Sequence, residues 1–109
     1  MNVTEWLRAS LEQTTIETKD GGSYTYQKVR DRALCADGMT VSIQHSETMY
    51  CSPRCDGETY FLSVEIGYPS QLPPESWRTS DGEVWGWVPM DEIEEWIAAH
   101  GGIVGKEER

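Results

Sequence analysis

Positive charge is what this chain has least of. It carries 9 Lys and Arg against 19 Asp and Glu, a formal net charge of −10 over 109 residues. That balance excludes general binding to a nucleic-acid backbone, which needs a basic surface. It suits an acidic protein that occupies a basic groove on a partner, although acidity also serves plain solubility. Long apolar runs are missing as well. No stretch of about 18 apolar residues occurs, so no membrane-spanning helix and no membrane partner are expected. The opening MNVTEWLRAS has no basic segment followed by an apolar one. A signal peptide is therefore not expected, and the chain is assigned to the cytoplasm of the cell in which it is made.

Cysteine and histidine are scarce. Cys35, Cys51 and Cys55 are odd in number, and in a reducing compartment free thiols are the default. Only His45 and His100 could serve as bases, and nothing in the spacing puts either beside a thiol. The chain has no nucleophile elbow and no phosphate-cradling glycine loop, so neither catalysis nor a cofactor is expected. Cys35, Cys51, Cys55 and His45 make up a nominal Cys3His set for zinc. One C-x3-C pair with two scattered ligands matches structural zinc sites poorly. A zinc-stabilised module is thus an alternative, and no metal ligand is assigned.

What remains is enough for one small α+β domain, taken as residues 1–103, with 104–109 as a flexible tail. Thr4 is placed to cap a short helix from about Glu5 to Glu12, with Leu7 and Leu11 one turn apart. Strands are expected over Thr14–Thr18, Ser23 to about Arg32, Met39–Gln44, Tyr60–Gly67 and Val84–Val88, the last broken by Gly86. In the second strand Tyr24, Tyr26, Lys28, Arg30 and Arg32 share one phase, an aromatic and basic face in an acidic protein. Pro74–Trp77 is read as one helical turn. A C-terminal helix follows Pro89, with Asp91, Glu92, Glu94 and Glu95 near its positive end and Ile93 and Ile97 on its apolar side. Gly101 fits its left-handed cap. Short turns between the strands imply a mostly antiparallel sheet of about five strands with an N-terminal and a C-terminal helix. So thin a core makes self-association a natural way to bury more surface, and a homo-oligomer is expected.

The functional signal is concentrated in one loop, His45 to Glu58, HSETMYCSPRCDGE. Loops carried on a small sheet are where binding groups collect. Arg54 follows Ser52-Pro53, so a proline stiffens the approach to a guanidinium suited to phosphate or carboxylate. Tyr50 can stack on a ring; Ser46, Ser52 and His45 can add hydrogen bonds. Tyr26 and Arg30 belong to the second aromatic-basic set. Together these are parts of a pocket for a nucleotide-like anion. The plainer reading is a surface loop whose Arg54 pairs with Glu47 or Asp56. Trp77, Trp85, Trp87 and Trp96 are many large aromatics for so short a chain, and tryptophan is enriched both in cores and in interface hot spots.

Three phrases in a fixed order carry a resemblance: Val41-Ser42-Ile43-Gln44 leading to Tyr50-Cys51-Ser52-Pro53-Arg54, then Val64-Glu65-Ile66-Gly67-Tyr68-Pro69-Ser70, then Val84-Trp85-Gly86-Trp87-Val88-Pro89. Over residues 14–103 the chain resembles a family of small proteins encoded by phages and prophages of anaerobic gut-type bacteria. The family has no settled activity, so no catalytic residue is carried across. The resemblance implies a counter-defence role in the host cell cytoplasm. Such a protein either sequesters a cyclic nucleotide or ADP-ribose-type immune signal without cleaving it, or blocks a host defence protein such as a CRISPR nuclease.

Overall fold

Val41 and Ile43 in one segment, and Val64 and Ile66 in another, alternate with polar residues and set two strands side by side at the centre of a sheet. A computed structural model describes residues 1–57, 59–77 and 83–107. The elements are α1 (Val3–Ala9), β1 (Gln13–Glu17), β2 (Ser23–Gln27), β3 (Arg32–Cys35), β4 (Thr40–Gln44), β5 (Ser63–Gly67), a 3-10 turn (Glu75–Trp77), β6 (Val84–Pro89), α2 (Met90–Ala99) and β7 (Ile103–Glu107). Five strands form an antiparallel sheet in the order β6-β5-β4-β3-β7, and β1 pairs with β2 as a separate two-stranded hairpin. The fold is α+β, as composition and patterning imply.

Alternate residues of the sheet build one core face. Ala33, Cys35, Val41, Ile43, Val64, Ile66, Val88 and Ile103 form a single buried cluster with Val3, Trp6 and Leu7 of α1 and Ile93, Trp96 and Ile97 of α2. Helix α1 is short and needs help at its positive end. Asn2, not Thr4, is its N-cap, in a reciprocal capping box with Glu5. Glu94 of α2 adds a carboxylate that accepts from the Val3 and Thr4 N–H groups at 2.5 and 3.3 Å. The other end of α2 closes as its sequence implies, with Gly101 at φ +89°.

Three expectations are corrected. The helix starts at Val3 and stops at Ala9 instead of running to Glu12. The long second strand is two: β2 ends at Gln27, the chain turns inward at Arg30, and β3 begins at Arg32. The aromatic-basic face of that strand therefore does not exist as one surface. Residues 104–107 are not a loose tail, because β7 pairs with β3 from Cys35↔Ile103 to Arg32↔Glu107 and forms the sheet edge. Main-chain pairing outweighs the charge and glycine content that make this segment look mobile. Residues 108 and 109 lie outside the described residues.

Candidate functional site

The loop after β4 begins inside the protein. His45 is 1% exposed and Ser46 5%. The His45 ring meets the edge of Phe61 at 4.8 Å between centroids, and neither ring nitrogen has a hydrogen-bond partner among the described residues. Burial pushes its pKa below the ordinary 6.5, and the charge of Arg30 acts in the same direction. His45 and Ser46 are therefore supports of the loop and not contact groups on its surface.

Arg30 is also internal, at 3% exposure. Its guanidinium donates to the Leu7 carbonyl at 2.7 Å, the His45 carbonyl at 3.0 Å and Ser10 Oγ at 2.8 Å. Its backbone is clasped by the Gln44 amide, which accepts from Arg30 N–H at 2.9 Å and donates to Arg30 C=O at 2.8 Å. One cation thus ties the C-terminal turn of α1 to the start of the loop. Burial pulls its pKa down to about 10, so it stays charged at neutral pH.

Further along, the loop surfaces. Cys51 is buried, its thiol donating to the Ser46 carbonyl at 3.2 Å. Ser52 is half-buried, bonds its hydroxyl to that of Ser63 at 2.9 Å, and precedes a cis peptide to Pro53. Tyr50 and Arg54 are exposed on either side. The Arg54 guanidinium carbon lies 5.5 Å from the centroid of the Tyr50 ring, and Arg54 Nε donates to the Glu47 carbonyl at 3.1 Å. Neither Glu47 nor Asp56 forms a side-chain ion pair with it. Its terminal amino groups have no partner among the described residues.

The third member of this group comes from another strand. Trp87 of β6 lies 5.1 Å from the Tyr50 ring at an interplanar angle of 35°. Arg54, Tyr50 and Trp87 form a ladder, with Tyr50 51% and Trp87 55% exposed. Each step contributes on the order of 0.5–1.5 kcal/mol, enough to order the side chains before any partner arrives. The backbone is arranged for it. β6 slips its register against β5 between Val64 and Ile66, and Trp87 takes φ +52°, a conformation costing about 1–2 kcal/mol for a side chain of this size. The Trp87 N–H donates to the Tyr50 carbonyl at 2.8 Å and holds the bulge in place. Glu65 accepts from Tyr50 N–H at 2.8 Å. A strained backbone at an exposed aromatic pair is a pointer to function.

The seven residues expected to form one pocket do not converge. Tyr50 and Arg54 stand together on the surface, Ser52 is between them, His45 and Ser46 lie beneath, Arg30 is a buried strut, and Tyr26 is on the separate hairpin. A cleft of about 560 Å³ lies elsewhere, lined by residues that include Trp6, Ser10, Lys28, Arg30 and Lys106. Its lysines are taken up by Glu12 and Asp31 at 3.5 Å each. The Cys3His set does not assemble either: Cys35 belongs to the sheet core, and no group of three or more His, Cys, Asp or Glu side chains is placed to hold a metal among the described residues. Trp87 is the residue that sequence reasoning left out of the site. Gly86 inside a strand pattern was the available sign, since such a glycine marks a bulge or a close approach. Glu58, at the loop's end, lies outside the described residues. No helix is long and apolar enough to cross a membrane among the described residues.

No protein-family model matches this chain, and no curated protein or solved structure matches it.

Proposed function

We propose that this is a non-catalytic binding protein that docks the Arg54–Tyr50–Trp87 ladder onto a basic, nucleic-acid-binding surface of a partner protein. A host defence nuclease is the partner class that the phage-family resemblance implies, and the host cytoplasm is the setting. The observation that carries the reading is the exposed ladder among carboxylates. Arg54 shares its loop with the carboxylates of Glu47 and Asp56, and Glu65 bonds the backbone of Tyr50 beneath it, in a chain of net charge −10. A free phosphate approaching it meets net repulsion, whereas a basic protein surface is attracted from about a Debye length, roughly 8 Å. Trp, Tyr and Arg are the residue types that dominate interface energies.

Sequestration of a nucleotide-like signal is a second reading. It is favoured by the amino groups of Arg54, which have no partner among the described residues, over a tyrosine face. Small ligands held tightly lose about 70–90% of their surface to a pocket, and the ladder is open on one side. The macromolecular reading comes first for that reason.

The test is inhibition of a panel of guide-loaded CRISPR nucleases by the purified protein. Inhibition that falls at least about tenfold in Trp87→Ala or Tyr50→Ala, and weakens between about 50 and about 500 mM salt, supports docking. No inhibition or binding across the panel, with a cyclic dinucleotide retained in native mass spectrometry, moves the reading to sequestration.

A further inference from the structure

The β1–β2 hairpin stands off from the rest of the molecule. The chain measures 49 × 28 × 25 Å and has a radius of gyration of 14.6 Å. A compact chain of this length has about 13 Å. The base of the hairpin is fastened. The Gln27 side chain donates to the His45 carbonyl at 2.6 Å and accepts from Gly57 N–H at 2.9 Å. Beyond that base the hydrogen bonds of the two strands among the described residues run only between themselves, and a lone two-stranded hairpin is marginal in water.

Register divides the arm into two unlike faces. Thr14↔Tyr26 and Ile16↔Tyr24 lie on one side; Gln13↔Gln27, Thr15↔Thr25 and Glu17↔Ser23 lie on the other. The second side is polar and settled, with the Thr15 and Thr25 hydroxyls bonded at 2.8 Å. Within the paired strands the first carries no charged side chain, and the Glu12–Lys28 ion pair stands one step beyond it at the base. Its Ile16, Tyr24 and Tyr26 are 38%, 54% and 39% exposed, with the two tyrosine rings 6.3 Å apart.

We infer that the occupant of this face is the same face of a second copy, the two arms packing across a two-fold axis. Charge decides the partner. Two copies of net charge −10 repel wherever their acidic surfaces meet. The uncharged Ile16–Tyr24–Tyr26 face is a patch on which they meet without opposed charges, and a two-fold contact requires only that a patch complement itself. A basic partner, by contrast, finds no carboxylate among the paired residues of this face. Three large side chains per copy amount to well under the roughly 800 Å² per partner of a standard stable interface, so the dimer is weak and concentration-dependent.

This pairing is separate from the ladder, and salt separates the two experimentally. Salt weakens docking of an acidic protein on a basic one, but it screens repulsion between two acidic copies and tightens the dimer. Sedimentation velocity from about 1 to about 200 μM, at about 50 and about 500 mM salt, is the test. Wild type is expected to dimerise, more at high salt. Tyr24→Asn/Tyr26→Asn is expected to raise the dissociation constant at least about tenfold. Thr25→Asn, the same side chain on the opposite face, leaves it unchanged, as does Trp87→Ala. A wild-type monomer at the highest concentration overturns the inference, and so does equal loss in Thr25→Asn. Should the double variant fail to fold, dilution of the wild type followed by NMR serves instead: Tyr24 and Tyr26 resonances must move with concentration, and fixed resonances overturn the inference.

Discussion

A Cβ atom added to Gly86 would lie 2.7 Å from the Cβ of Tyr50. No rotamer change relieves that contact, because both atoms are fixed by backbone. Gly86→Ala must therefore push Tyr50 off Trp87 or move the bulge. The expected outcome is a loss of about 1–3 kcal/mol in stability with a changed near-UV aromatic spectrum. Urea denaturation and circular dichroism check both, and an unaltered aromatic signal would detach Gly86 from the ladder.

Arg30 satisfies three acceptors on two elements, so Arg30→Ala leaves the Leu7 carbonyl and the Ser10 hydroxyl without their donor and the His45 carbonyl with Gln27 alone. The expected cost is about 3 kcal/mol or more. Arg30→Lys restores only part of it, since an ammonium group does not span the same fork. Equilibrium unfolding of the two variants measures the difference.

His45 makes stability pH-dependent. Its native pKa is below the ordinary 6.5, so the unfolded chain takes up the proton more readily. The contribution is whole above about pH 6.5 and is lost as pH falls below it toward the depressed native value. Melting temperature is expected to drop as pH falls below about 6.5, before ordinary carboxylates titrate. His45→Phe should flatten that slope; a slope that survives His45→Phe assigns the effect elsewhere.

The thiols differ in reach. Burial raises Cys35 to about 11 and raises Cys51, while Cys55 is half-buried on the loop. Brief alkylation of the native protein at about pH 8 is expected to mark Cys55 first, with Cys35 and Cys51 reacting only after denaturation. Peptide mass spectrometry reads the order directly, and early loss of Cys35 would contradict its place in the core.

Helix α2 was legible because Ile93 and Ile97, the leading acids and Gly101 all pointed the same way. β4 and β5 were legible from Val41, Ile43, Val64 and Ile66. β3 was not: Arg32–Cys35 is too short to stand apart from the residues before it, and the break at Arg30 is made by acceptors on α1 and the loop. β7 was missed because Gly105, Lys106 and Glu107 carry no strand pattern, and its reason for being a strand is β3. In the site, Tyr50 and Arg54 were legible as neighbours in one loop. The burial of His45 and Ser46, and the arrival of Trp87 from β6, depend on how the sheet is assembled.

The β3–β7 pair has a consequence for how the chain is made. Residues 103–107 leave the ribosome last among the described segments, yet they cover one side of a strand that emerged long before. Until then β3 offers an open edge of main-chain donors and acceptors, and Glu94 is not yet in place to cap α1. Such distant pairing is slow to close. Overproduction at high temperature should therefore send this protein to aggregates through its nascent form, at a point when the finished fold has no part in the outcome.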